Sequence, residues 1–174
     1  DSTNGIDCGA AYLYWKMDDH HYEWELTDVL HPEDCKSGDL FGISVAIDLH
    51  TVLIGSTKND INGQDSGAVY LYNREYKKDR HANLEYVMRL SAEDGSGQDY
   101  FGSSIAVNIN TTLIGAWGCD KTGTLSGCAY VWTKYYGDNE DGEWLYSQQI
   151  TADNGKGYER FGSSVAISSN YIAI

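Results

Sequence analysis

Two carboxylates and an amide in one short polar stretch are the first candidates for chemistry. Asp60, Asn62 and Asp65 bracket Gly63 in the run Asp-Ile-Asn-Gly-Gln-Asp. A hard cation such as calcium needs several oxygen ligands that converge in a tight turn, so these residues are candidate metal ligands. The same letters describe a polar Asn-Gly turn, which is the interpretation we prefer. No other cofactor is expected.

Other acidic and histidine clusters raise the question of catalysis. Residues 18–21 read Asp-Asp-His-His, but neighbours on a strand point to opposite faces and do not chelate one ion together. The acids at 93–94 and 138–141 resemble a glycosidase acid and base pair, yet they fall regularly in turns, where acids keep strand edges from pairing. The chain has no Gly-x-Ser-x-Gly, His-Glu-x-x-His or phosphate-binding glycine motif. We therefore expect no catalytic residues and no enzymatic activity.

The cysteines point to an oxidising compartment. Cys8, Cys35, Cys119 and Cys128 form no Cys-x-x-Cys pair and have no histidine at zinc-finger spacing. Disulfides are therefore expected rather than a metal site. Asn110 begins an Asn-Thr-Thr pattern, the acceptor for an N-linked glycan. Both features predict an extracellular or cell-surface protein.

Composition narrows the range of partners. The chain has 12 basic and 26 acidic residues, a formal net charge of −14, which opposes binding to nucleic acid and anionic membranes. No apolar run reaches the roughly 20 residues of a membrane-spanning helix, and the first residues carry no signal segment. We expect protein partners and no membrane insertion.

The elements that must position these residues are set by an internal repeat. Phe41-Gly42, Phe101-Gly102 and Phe161-Gly162 recur at a spacing of 60 residues. Each pair is followed by Ser-Val-Ala-Ile or Ser-Ile-Ala-Val, and each Phe has an acid two positions before it. In the same register, Leu-Ile-Gly at 53–55 returns at 113–115, and Gly-Ala-Val-Tyr at 67–70 is matched by Gly-Cys-Ala-Tyr at 127–130. Each period contains four short apolar runs separated by Gly, Asn and Asp turns, which predicts an all-β fold of four-stranded antiparallel units.

The Phe-Gly pair at the first strand and the Gly-Ala-x-Tyr at the third resemble the FG-GAP repeats of integrin-type β-propellers. The resemblance covers nearly the whole chain and implies that the Phe and Gly residues are structural, with Phe wedged between blades and Gly allowing close backbone approach. The family's calcium loops lie between the first and second strands, where this chain has only the short turns 48–51 and 108–111. An inherited calcium site at those turns is therefore not expected.

Counting strands predicts two complete blades and two half-blades. Residues 1–40 form a half-blade, with strands at 9–14 and 24–30, residues 41–100 and 101–160 form blades, and residues 161–174 form a half-blade, with strands at 163–167 and 171–174. Closed propellers have 4 to 8 blades, so this chain does not close a ring alone. Either it is a piece of a longer propeller, or another copy completes both halves head to tail.

Blade geometry also predicts the disulfides. The loop between the second and third strands lies on the same side as the loop that leads to the next blade. Cys8, at the start of a third strand, is therefore near Cys35, and Cys119 pairs with Cys128 across one such loop.

Three functions remain open. The preferred one is a non-catalytic structural or adhesive repeat module of an extracellular assembly. The second is a carbohydrate-binding module, for which aromatic side chains would form a platform. The third is an accessory propeller domain of a larger secreted enzyme. Packing between blades is the expected role of the aromatic residues in strands: Tyr12, Tyr14, Tyr70, Tyr72, Tyr130 and Trp132.

Overall fold

A computed structural model of the protein describes residues 8–16, 23–76, 82–137 and 142–174. Within these ranges the regular secondary structure consists of twelve β-strands. They are β1 (Ala11–Lys16), β2 (Trp24–Leu30), β3 (Phe41–Ile47), β4 (Thr51–Ser56), β5 (Ala68–Tyr76), β6 (Ala82–Leu90), β7 (Ser104–Asn108), β8 (Thr111–Ala116), β9 (Cys128–Tyr135), β10 (Glu143–Ile150), β11 (Ala166–Ser168) and β12 (Tyr171–Ala173). The described residues contain no helix that could cross a membrane.

The strands form four antiparallel sheets in chain order. Sheet 1 is β1–β2, sheet 2 is β3–β4–β5–β6, sheet 3 is β7–β8–β9–β10 and sheet 4 is β11–β12. Consecutive strands are neighbours throughout, so no connection within a sheet crosses another strand. The predicted grouping of two, four, four and two strands is present. The predicted strand at 9–14 corresponds to β1, which begins at Ala11 and continues to Lys16. The predicted strand at 163–167 corresponds to β11, which begins only at Ala166. Residues 160–163 form a turn before it, in which the Ser163 N–H donates to the Arg160 carbonyl.

Short turns fix the register between the first and second strands of each sheet. The Asp48 carboxylate accepts hydrogen bonds from the backbone N–H groups of His50 (3.0 Å) and Thr51 (2.9 Å). In sheet 3, Asn108 pairs with Thr111, and Ile109 has a φ of 52°. These are the short hairpin turns that the sequence predicts at 48–51 and 108–111.

One irregularity recurs in the fourth strands. The register shifts beside Leu13/Tyr14 in sheet 1, Leu71/Tyr72 in sheet 2 and Tyr146/Gln148 in sheet 3. Each shift is a β-bulge that inserts one extra residue into the fourth strand. The bulge reverses the faces of the residues beyond it, so a strict two-residue alternation does not describe these strands.

The hydrophobic core lies between successive sheets, at three contacts that we call junctions. Junction 1, between sheets 1 and 2, buries Ala11, Phe41, Ile54, Tyr70 and Tyr72 among others. Junction 2, between sheets 2 and 3, contains the largest cluster, and junction 3, between sheets 3 and 4, a smaller one. Each sheet thus buries its faces against its neighbours in the chain.

Candidate functional site: the junctions between sheets

The Phe-Gly pair begins each junction. A parallel backbone bridge joins Gly9 to Phe41, Gly67 to Phe101 and Gly127 to Phe161. At junction 2 the Phe101 N–H donates to the Ser66 carbonyl at 2.9 Å. The ring of Phe101 is fully buried and packs edge-on against Tyr130, with centroids 5.3 Å apart; Phe41 packs in the same way against Tyr70. Phe161 is partly buried in the third cluster.

The glycine of the pair permits this close approach. Gly42, Gly102 and Gly162 have φ values of 91°, 88° and 84°. A Cβ on Gly102 would press on the Ala68 carbonyl oxygen, and equivalent carbonyls stand over Gly42 and Gly162. Both the backbone conformation and the space therefore select glycine, which fits the structural role expected of these residues.

A serine after each of the first two pairs donates a hydrogen bond to the next sheet. The Ser44 hydroxyl donates to the Gly102 carbonyl at 2.6 Å, and the Ser104 hydroxyl donates to the Gly162 carbonyl at 2.7 Å. The sequence shows this serine repeating without indicating its contact, because its partner is 58 residues further along the chain.

A tyrosine and an acid connect the outer parts of junctions 1 and 2. At junction 1 the Tyr70 hydroxyl donates to Asp34 at 2.9 Å, and Arg89 forms an ion pair with the same carboxylate. At junction 2 the Tyr130 hydroxyl donates to Asp94 at 3.1 Å, and the Lys121 ammonium lies 2.8 Å from it. Burial raises the pKa of Tyr70 and Tyr130 well above the ordinary value, so both stay protonated donors. The predicted turn acid Asp94 therefore has a specific partner across the junction.

The acids before the Phe residues are buried. Asp39 and Asp99 are 3% and 4% exposed. Their carboxylates accept the backbone N–H of Lys36 (3.0 Å) and Ser96 (2.8 Å), which shapes the turn leading into each Phe. Burial raises the pKa of Asp99 against these hydrogen bonds. The residues that cover these acids lie in the loops after β4 and β8: Asn59 donates to the Asp39 carboxylate at 3.3 Å, and the Gly118 N–H donates to the Asp99 carbonyl at 3.1 Å.

Both predicted disulfides are present. Cys8 is joined to Cys35 and Cys119 to Cys128, with Cα atoms 6.0 and 5.6 Å apart. The first links the start of β1 to the loop after β2, and the second closes the loop between β8 and β9.

The candidate calcium ligands are engaged within the protein. Asp60 accepts the backbone N–H of Asp65 at 2.9 Å, and the Asn62 amide donates to the Ala92 carbonyl at 2.7 Å. The next repeat builds the same turn with Asp120 accepting the N–H of Leu125, so the position of Asp65 does not need a carboxylate. No cluster of three or more His, Cys, Asp or Glu with metal-binding geometry occurs in the described ranges. The polar-turn interpretation accounts for every one of these contacts.

Two other candidate groups fall outside the described residues: 18–21 and 138–141. The glycan acceptor Asn110 lies in the β7–β8 turn, where its side-chain oxygen accepts from the Tyr136 hydroxyl at 3.0 Å.

The aromatic residues divide into two groups. Tyr70, Tyr72, Tyr130 and Trp132 are buried at junctions, as expected. Tyr12 and Tyr14 are 52% and 51% exposed, so core packing is the wrong assignment for them. They occupy the face of β1 that corresponds to the Tyr70 and Tyr72 face of β5, and that face of β5 is covered by the preceding sheet.

An apolar groove runs beside β1. It has a volume of about 710 Å³ and is lined by every residue of β1 and by Val45, Ile47, Val52 and Ile54 of sheet 2. Ile105 and Val107, at the positions of Val45 and Ile47 in sheet 3, pack against sheet 2. The groove therefore occupies the place that the first two strands of a complete sheet fill at junction 2.

Comparison with known protein families gives one match, to the model described as FG-GAP repeat. It matches residues 24–72, 85–132 and 144–174, most of the chain. No curated protein matches the chain. The matched segments contain the Phe-Gly pairs, the junction serines and the third-strand tyrosines, and the chain therefore belongs to the FG-GAP repeat family.

Proposed function

We propose that the chain is a non-catalytic structural and adhesive module of an extracellular protein, built from propeller-type blades and acting through contacts with protein partners. Four features support this proposal: the repeats, the disulfides, the polar contacts between sheets and the acidic surface. FG-GAP repeats and disulfides are typical of extracellular proteins. The repeated polar residues hold sheets together, and the acidic surface is suited to protein partners. Asn110, in an accessible turn, would carry the N-linked glycan.

The groove beside β1 is the main observation that supports the way in which we propose the chain contacts its partner. Sheet 1 has the third and fourth strands of the repeat, and sheet 4 has the first and second. β1 has no neighbour on its outer edge among the described residues, and neither has β12. An open strand edge beside an apolar groove is the geometry of β-strand addition. The occupant proposed here is a β11–β12 type hairpin.

Sheet 2 supplies the expected register. In sheet 2, Val52 pairs with Tyr72, Leu53 with Leu71 and Ile54 with Tyr70. The corresponding residues of β12 and β1 place Ile172 beside Tyr14, Ala173 beside Leu13 and Ile174 beside Tyr12. The apolar side chains that are exposed at these positions would then share one face, as they do in sheet 2.

When sheet 1 of one copy is completed by sheet 4 of another copy, the contact between the copies is head to tail. A head-to-tail contact generates rings or filaments according to the rotation between copies. A hairpin from a neighbouring region of the same polypeptide would satisfy the same edge, and the experiment below separates the two sources.

Cysteine crosslinking of the 174-residue chain tests the register. Leu13→Cys and Ala173→Cys, placed on separate copies and mixed, should be joined by a short thiol-specific crosslinker. The matched control replaces Ala173→Cys by Ser168→Cys on β11, which β12 separates from the incoming strand. Efficient dimer formation with the first pair alone supports completion between copies. A folded chain that stays monomeric at high concentration, with no preferred crosslink, overturns it.

A further inference from the structure

A second cavity lies in junction 1, away from the β1 groove. It has a volume of about 410 Å³ and is lined by His31, Pro32, Glu33, Asp34, Tyr70, Tyr72 and Tyr86. This volume is within the range of small ligand sites, and such sites combine aromatic walls with a few polar groups.

Three tyrosine rings form its walls. Tyr70 and Tyr72 are buried and Tyr86 is 53% exposed. The Tyr72 and Tyr86 centroids are 5.7 Å apart with the rings at 68°, and the Tyr70 and Tyr86 centroids are 6.3 Å apart. Burial raises the pKa of Tyr72 to about 12, so its hydroxyl is neutral at physiological pH. Of the three rings, Tyr86 has the exposed surface that a guest could contact, and the buried Tyr70 and Tyr72 pack behind it.

The charges around the cavity favour a cation. Glu33 and Asp34 contribute carboxylates, and Glu33 is exposed. Asp34 is paired with Arg89, whose guanidinium lies 5.9 Å from the Tyr70 ring centroid. The chain thus already places a cation against this combination of acid and aromatic ring. The net charge of −14 further attracts cationic groups and opposes phosphates and acidic sugars.

Junction 2 shows which cation fits. Its corresponding residues are Glu93, Asp94, Tyr130, Trp132 and Tyr146. There the Lys121 ammonium lies 2.8 Å from Asp94. Its charge also offsets part of the rise that burial causes in the pKa of Tyr146. The residue 60 positions before Lys121 is Ile61, so junction 1 has no lysine at this position.

We propose that the junction 1 cavity binds the ammonium group of a lysine side chain presented by a protein partner. The exposed Tyr86 ring binds the cation through its face, the exposed Glu33 carboxylate adds to the one that Asp34 shares with Arg89, and the lysine stem lies against the apolar part of the wall. The incoming lysine corresponds to Lys121 at junction 2 and adds a second cation to Arg89, which already pairs with Asp34. The proposal rests on the proposed function only in taking the partner to be a protein.

The repeat offers a reciprocal pair of variants as the test. Binding of Nα-acetyl-lysine amide to the folded chain is followed by NMR shifts of the tyrosine ring protons. We expect saturable binding with a dissociation constant on the order of 1 mM, a range suited to one small contact. Ile61→Lys should weaken it at least tenfold by filling the cavity from within. Lys121→Ile should create a second site of similar affinity at junction 2, whereas the charge-matched control Lys156→Ile should not.

The uncharged analogue Nα-acetyl-norleucine amide and a neutral disaccharide complete the experiment. Equal binding of the norleucine analogue, or lysine binding that Ile61→Lys leaves unchanged, overturns the proposal. Disaccharide binding at this cavity without lysine binding also overturns it and assigns the site to carbohydrate. A monomeric chain that binds lysine would contradict strand completion between copies and leave this site intact, so the two proposals fail separately.

Discussion

Tyr70 and Tyr130 have the same role in successive repeats, and the cation that accompanies each one differs in origin. At junction 1 the cation is Arg89, from the strand beside Tyr70, whereas at junction 2 it is Lys121, from a loop. Gln149 takes the position of Arg89 in the second repeat and donates to the Tyr130 hydroxyl at 2.8 Å. The repeat therefore preserves the hydrogen bond between tyrosine and acid while the source of the compensating charge changes.

Phe101→Ala should lower the free energy of unfolding by roughly 3 to 5 kcal/mol, because it leaves a cavity in a close-packed junction. Asp60→Ala should cost only about 1 kcal/mol, the value of one exposed turn hydrogen bond. Denaturant melts of both variants measure the difference. The reverse order, with an Asp60 effect that disappears in chelator, would show that this turn is a calcium site after all.

Asp94→Asn should make the stability of the protein less dependent on pH. Burial opposes ionisation of Asp94, but the hydrogen bond and charge of Lys121, with the Tyr130 hydroxyl, outweigh it and hold the pKa of Asp94 below its ordinary value. The ionised form therefore contributes stability above the unfolded pKa, and this contribution is lost as pH falls through the folded pKa. Wild type should be the more stable at pH 7, by a small amount that salt reduces, and the difference should vanish at the acid end of a melting series. A difference that grew toward acid would contradict this account.

At the scale of elements, the strands could be predicted because each apolar run is bounded by glycine or by short polar turns, and Phe-Gly marks every first strand. The bulges could not be predicted from the sequence, because the extra residues are not all of one type: Thr27 and Ser147 carry hydroxyl groups, whereas Val87 is apolar. The burial of Asp39 and Asp99 could not be predicted either, because the residues that contact them, such as Asn59 and Gly118, lie about 20 positions further along the chain. The polar ties of Ser44 and Tyr70 join residues far apart in the chain, and only the fold brings them together.

The two disulfides close loops of different length, so removing them should lower the stability of the protein by different amounts. Their sequence separations of 27 and 9 residues correspond to about 3.5 and 2.5 kcal/mol in the chain-entropy model. Replacing Cys8 and Cys35 together by Ser should therefore lower the melting temperature more than replacing Cys119 and Cys128. Peptide mapping by mass spectrometry checks the pairing, and a bond between Cys8 and Cys128 would show that the arrangement is wrong.

At the scale of the molecule, the junctions repeat one another closely enough that each sheet predicts what should cover its neighbour. Tyr12 and Tyr14 are exposed because no described sheet covers their face of β1. Val45, Ile47 and Leu49 are exposed because no described strands fill the groove beside β1. Exposed apolar residues in one continuous region mark an interaction surface. Under the proposal made above, a β11–β12 type hairpin would cover this surface.

The net charge of −14 predicts how salt affects that contact. Copies of so acidic a chain repel each other at low ionic strength, and the Debye length falls from about 30 Å at 0.01 M to about 10 Å at 0.1 M salt. The proposed contact itself is apolar and formed by backbone hydrogen bonds, so screening should remove the repulsion and leave the attraction. Sedimentation of the 174-residue chain should show the average mass rising with salt, and Tyr14→Glu, which adds a charge to the groove, should suppress the rise. Lys58→Gln makes the net charge more negative by the same one unit, outside the groove residues, and serves as the control. Association that weakened as salt increased would show that ion pairs, and not strand addition at β1, hold the copies together.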